Sequence, residues 1–298
     1  MNKENQVIEE EDIKKLAAKS KRALLTSRVF SYILLIILSF LCLFPFYILI
    51  VNATRTNAQI NLGFSLVFGK NLGNNWTSLK ALASIPIVRG LGNSIFISVC
   101  VTLLTTYFSA LTAYGLNMYN FKGKKFAFVF IMLIMMVPLQ ISTLGFLKIL
   151  NQVNLMDSFV PLIVPSLASP VVFFFMYQYM ESVLPREMIE AARVDGSGEF
   201  RTFNQIVLPI MKPALAVQGI FAFVGSWNNY FLPALVLETN EKKTVPVLIA
   251  MLRSADYAKF DLGAVYLMIA IAIIPLIIIY LFLSKHIIGG IALGSVKG

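Results

Sequence analysis

The side chains available for chemistry in the apolar parts of this 298-residue chain are all neutral. Thr102, Thr105, Thr106, Ser109 and Thr112 share one uncharged run. Gln140, Ser142 and Thr143 share a second, and Gln218 and residues 226–230 share a third. Donors and acceptors of this kind suit a neutral ligand rich in hydroxyls, with aromatic faces for its C–H surfaces. They equally serve to hydrogen-bond helices to one another inside a membrane bundle. Trp227-Asn228-Asn229-Tyr230 is the densest group. Two adjacent amides at membrane depth are costly unless protein, water or ligand satisfies them. Asn228, Asn229, Tyr230 and Gln140 are therefore the candidate substrate-path residues. At helical spacing Asn228 and Asn229 point about 100° apart, so both cannot face one neighbour. This division gives Asn229 and Tyr230 to the path and Trp227-Asn228 to the structure.

Several kinds of chemistry are excluded by what the chain lacks. No Asp, Glu, Lys, Arg or His interrupts the long apolar runs, whereas ion-coupled transporters and proton relays place ionisable groups there. Cys42 and Cys100 sit in apolar runs, and His286 is the single histidine, so neither a disulfide framework nor a zinc site is expected. No G-x-x-x-x-G-K-[ST] loop occurs: Gly69-Lys70 and Gly123-Lys124 lack the upstream glycine and the hydroxyl. The chain is thus not expected to be an enzyme, to hold a metal or cofactor, or to hydrolyse ATP unaided.

A polar island at residues 185–209 separates two apolar runs. Pro185 suits the start of a helix, and Met188, Ala191 and Ala192 at i, i+3 and i+4 predict one apolar face. Asp195-Gly196-Ser197-Gly198 is turn chemistry, in which glycine can take positive φ. A second helix follows, with Phe200, Phe203 and Val207 expected on its buried face, and Pro209 and Pro213 close it. A short helix, a hinge and a short amphipathic helix at a membrane surface are predicted.

The elements that must hold these groups are membrane spans. The chain is 58% hydrophobic and 13% charged, against about 25% charged in a soluble domain. Six uncharged runs are long enough to cross about 30 Å of hydrocarbon: residues 29–54, 90–121, 126–147, 158–180, 213–237 and 262–284. Pro45, Pro138, Pro165, Pro233 and Pro275 lie within or near the ends of these runs, where kinks are expected. Of the 25 lysines and arginines, sixteen fall before the first run, after the second, in the loop at 181–212 and after the sixth. The positive-inside rule makes that side cytoplasmic, with both termini on it. The net charge of +10 is then mostly topology and implies no nucleic-acid partner. The expected division is a cytoplasmic tail at 1–28, a transmembrane domain at 29–284 with a cytoplasmic loop at 181–212, and a second cytoplasmic tail at 285–298. Residues 55–89 read as a polar outer loop with Trp76 as an interface anchor.

Glu190-Ala191-Ala192, three residues, Gly196, nine residues and then Ile206-x-Leu208-Pro209 resembles the EAA loop of bacterial ABC importer permeases. Asn93-Ser94, Ala113-Tyr114, Phe121-Lys-Gly-Lys-Lys125, Pro138-Leu-Gln140, Trp227-Asn228 and the ending Gly294-Ser-Val-Lys-Gly298 are similar to the carbohydrate branch of that family. The resemblance spans about residues 25–298. It implies an all-α polytopic membrane protein, a type I importer permease of six helices. Glu190, Ala191, Ala192, Asp195, Gly196, Ile206, Leu208 and Pro209 would form the coupling site. The implied partners are a second homologous permease, a dimer of cytoplasmic ATPase subunits that binds ATP and Mg, an external sugar-binding protein and membrane lipid. A permease for a non-carbohydrate solute and a non-transporting membrane sensor or scaffold remain the alternatives.

Overall fold

The structure, a computed structural model, describes residues 3–81, 85–254 and 261–294. Helices make up nearly all of it, and no strand occurs among the described residues. Helix α1 (Lys3–Ala53) is followed by the short α2 (Asn57–Asn61) and α3 (Leu72–Ala81), and then by the 32-residue α4 (Ile87–Met118). The latter is long enough, at 1.5 Å per residue, to cross a bilayer with turns to spare. After α5 (Lys124–Ile134) and α6 (Leu139–Gln152), a further apolar stretch runs through α7 (Val160–Ile163), a 3₁₀ turn at Val164–Leu167 and α8 (Pro170–Val183). Four stretches are long and apolar enough to span a membrane: Leu24–Ala53, Ile87–Met118, Val160–Val183 and Leu262–Ser284. The bent pair Glu199–Ile210 and Lys212–Val236, with 81° between its limbs, meets the same length and composition only when its two limbs are taken together.

The run at 126–147, expected as one continuous span, is two half-length helices. The chain leaves the helix at Met135 and restarts after Pro138, whose ring nitrogen has no hydrogen to donate to the preceding turn. At 11 and 14 residues, α5 and α6 each fall short of the ~30 Å that a crossing needs. The other prolines differ among themselves. Pro45 and Pro275 sit inside unbroken helices, whereas Pro165 lies in the 3₁₀ turn.

Two packed regions hold the bundle. One joins Ala110 and Tyr114 of α4, Phe173, Met176 and Met180 of α8, and Ile189, Phe203, Val207 and Met211 of the polar island. The other lies toward the opposite end of α4, where Leu79, Ile87, Leu248, Leu252, Leu267 and Met268 meet. Polar side chains fasten that end. Asn93 Nδ2 donates to the Glu241 and Lys243 carbonyls, and Ser94 Oγ accepts from the Val245 amide at 2.9 Å. The loop read as open and polar is partly built into the body. Asn75 is fully buried and donates to the Ala53 and Arg55 carbonyls at 2.9 and 3.0 Å. Arg55, also buried, donates to Asn52 Oδ1 and to the Gly63 and Gln59 carbonyls. Trp76, expected as an interface anchor, is half-buried against this region with Lys80 Nζ 5.3 Å above its ring. The ending at residues 295–298 lies outside the described residues.

Candidate functional site

Residues 185–211 fold as a helical corner. Helix α9 (Arg186–Val194) starts after Pro185 and places Glu187 in its first turn and Arg193 in its last, each favourable to the helix dipole. Gly196 takes φ +76°. Its amide donates to the Arg193 carbonyl and the Ser197 amide to the Ala192 carbonyl, at 3.0 and 2.9 Å. These paired bonds are a Schellman ending, which needs the left-handed residue that glycine supplies without strain. The second limb runs from α10 (Glu199–Thr202) through a π turn at Phe203–Val207 into α11 (Leu208–Ile210). Met211, fully buried, forms the corner from which α12 (Lys212–Trp227) leaves.

The buried face of α9 differs from the expected one. Ile189 and Ala192 are buried, while Met188 and Ala191 are exposed. All four positions share the helical spacing, and the neighbours decide which pair turns inward: Ile189 meets the packed region of α4 and α8. On the second limb Phe203 and Val207 are buried as predicted, but Phe200 is 69% exposed. Val194 is 87% exposed. Met188, Ala191 and Val194 of α9 and Phe200 of the second limb thus leave apolar side chains uncovered, and Glu190 of α9 is exposed as well. Of the other motif positions, Asp195 caps α9, Ile206 and Leu208 are half-buried, and Pro209 is exposed.

A polar cluster ties this corner to α4. Arg193 Nε donates to Glu199 Oε1 at 2.6 Å and Tyr114 Oη donates to Glu199 Oε2 at 2.7 Å. The Arg193 guanidinium also lies 5.3 Å over the Tyr119 ring. The Arg193 hydrogen bond, outweighing the cost of burial and aided by the Tyr119 and Tyr114 hydroxyls, draws the Glu199 carboxyl down to about 2. Burial, and then Glu199, push the Tyr119 hydroxyl up. Glu190, Glu199, Arg186, Arg193, Tyr119 and Asn120 border an open cleft of about 410 Å³. Motif spacing singled out neither Arg193 nor Glu199.

The substrate-path residues lie at a break in the chain. Helix α12 ends at Trp227, and α13 (Phe231–Val236) begins after three intervening residues. The 100° argument for Asn228 and Asn229 therefore fails, because neither residue is inside a helix. Trp227 is buried, stacked on Phe223 at 5.8 Å and donating from Nε1 to the Ala272 carbonyl of α15 (Leu262–Gly294). Asn228 and Tyr230 are exposed and Asn229 half-buried. Gln140 opens α6, but its side chain lies outside the described residues.

Residues 105–292, from the middle of α4 through the corner and most of α15, match the family model described as binding-protein-dependent transport system inner membrane component. The chain belongs to this family. The permease is 36% identical over 267 residues to the arabinooligosaccharides transport system permease protein AraQ of Bacillus subtilis, covering 88% of this chain and 92% of that one. To the lactose transport system permease protein LacG of Rhizobium radiobacter it is 30% identical, over 90% and 96% of the two chains. Its fold matches a chain from the crystal structure of a bacterial ABC transporter involved in the import of the acidic polysaccharide alginate, with a TM-score of 0.73 at 20% identity. That match covers 86% of the permease and 95% of the other chain. The permease is accordingly an all-α, multi-pass membrane component of an ABC importer.

Proposed function

We propose that this permease forms one half of the translocation path of an ATP-driven importer for a sugar, of the oligosaccharide class, and that the 185–211 corner couples it to ATP hydrolysis. The observation that carries the coupling role is the set of uncovered apolar side chains Met188, Ala191, Val194 and Phe200, with Glu190 exposed as well, on an otherwise packed corner. A polar island has no reason to present such side chains to water, and a groove on another protein would cover them. The corner continues at Met211 directly into α12, so displacement of the docked loop is passed along the chain toward Asn228, Asn229 and Tyr230. ATP and Mg are bound by two partner ATPase subunits. A second, homologous permease completes the path, and an external binding protein delivers the sugar. The neutral lining of the spans and the substrates named in AraQ and LacG support the sugar class. The loop faces the cytoplasm with both termini, and α5 with α6 together complete the count of six crossings.

The test is co-expression with the partner permease and ATPase, followed by pull-down and uptake. Gly196→Val is expected to leave the permease in the membrane but to weaken ATPase retention or to uncouple hydrolysis from uptake. Glu190→Ala should weaken retention less, since an exposed ion pair contributes about 0–1 kcal/mol. Normal retention and normal uptake in both variants would remove the coupling assignment.

A further inference from the structure

Besides the covalent paths at Pro185 and Met211 and the Arg186 bond to the Asn117 carbonyl of α4, Glu199 links the corner to the bundle. Its carboxylate accepts from Arg193 of α9 on one oxygen and from Tyr114 of α4 on the other, at 2.6 and 2.7 Å. Tyr107 lies seven residues before Tyr114, two turns along the same side of α4. The two tyrosine rings flank Phe203, with centroids 5.6 and 5.5 Å from it. Tyr107 Oη donates to Asn204 Oδ1 at 3.2 Å, and that amide is oriented by its own donation to the Phe200 carbonyl. Helix α4 therefore grips the second limb at two heights, with a fully buried phenylalanine between them.

We propose that Glu199 is a positioning residue that carries displacement of the coupling loop into α4, so that α4 and α12 move as one body rather than α12 hinging alone. This rests on the coupling role assigned to the corner. Its geometry is specific to a two-sided link. A carboxylate that only stabilised α9 would need Arg193 alone, and Tyr114 reaches it from 85 residues away in the chain. Helix α4 packs on both α8 and α12, so a pull at Tyr114 reaches the centre of the bundle. Without the link, α4 would follow the loop only through packing and the longer Tyr107–Asn204 and Arg186–Asn117 bonds, and Phe203 could slide between the rings.

The experiment uses the complete importer in liposomes, on a background lacking Cys42 and Cys100. Spin labels are placed at Asn74 as reference and at either Thr112 on α4 or Lys212 at the start of α12; all three positions are exposed. Pulsed EPR distances are read without nucleotide and after trapping with ATP and vanadate. In the otherwise unsubstituted protein both distances are expected to change. With Glu199→Gln and Tyr114→Phe combined, the Lys212 change should persist while the Thr112 change collapses, a selective loss that mere destabilisation would not produce. An unaltered Thr112 change in that variant, or no Thr112 change in the unsubstituted protein, overturns the inference and leaves the coupling loop standing. If Gly196→Val leaves both distance changes intact, the coupling role itself fails and the inference with it.

Discussion

At the scale of single residues, Glu199 offers a prediction with a defined sign. Its carboxyl is held at about 2, below the ordinary carboxylate range, by Arg193 first and then by the tyrosine hydroxyls. A group depressed in the folded state contributes stability that is complete above its unfolded value, about 4.3, and is lost as pH falls toward 2. The difference in melting temperature between the unsubstituted importer and Glu199→Gln should stay flat from about pH 8 to about pH 5.5 and shrink below about pH 4.5. A difference that changes through neutral pH would point to another group. Gly196 was legible in the sequence because Asp-Gly-Ser-Gly demands a residue at positive φ, and the Schellman ending uses it so. The bond from Tyr114 to Glu199 was not legible, since no spacing rule relates residues 85 positions apart.

Among the elements, the apolar runs announced themselves by composition, and their breaks did not. Pro138 coincides with a complete interruption, whereas Pro45 and Pro275 are carried inside continuous helices. A proline removes one donor wherever it sits, and the neighbours decide whether the helix survives it. The segment before α4 misled in the opposite way: rich in Asn and Gly, it resembled solvated loop, yet it buries Asn75 on two carbonyls. A Cβ on Gly263 would stand 2.4 Å from Asn75 Nδ2 and 2.5 Å from the Arg55 carbonyl oxygen. Asn75→Ala should cost about 1–3 kcal/mol by orphaning those buried acceptors. Gly263→Ala should disturb the same contact by steric overlap. Thermal unfolding of the detergent-solubilised protein would check both, and an unchanged melting temperature in each would show that this cap does not bear on stability.

For the whole molecule, the question is which face looks into the cell. The distribution of lysine and arginine predicts that Ser197 and Lys124 lie on the cytoplasmic side and the segment around residue 74 outside. Single cysteines at Ser197 and Lys124, on a background lacking Cys42 and Cys100, should be shielded from impermeant thiol reagents in intact cells. One at Asn74 should be labelled. Asn74 is exposed, whereas its neighbour Asn75 is buried and would be silent on either side. Labelling of Ser197 from outside would invert the topology and separate the corner from any cytoplasmic ATPase.

The 81° bend at Met211 also sets a mechanical ratio. With a fully buried pivot, the limb Glu199–Ile210 and helix α12 form a bell crank. Its arms are about 18 Å and about 24 Å long at 1.5 Å per residue. A crank of this shape turns the direction of a stroke through nearly a right angle and enlarges it by only about a third. The far end of α12 therefore travels scarcely farther than the docking surface does. If a second permease completes the pathway as proposed, a wide opening would be assembled from two such cranks working against each other, because neither has the leverage to make it alone.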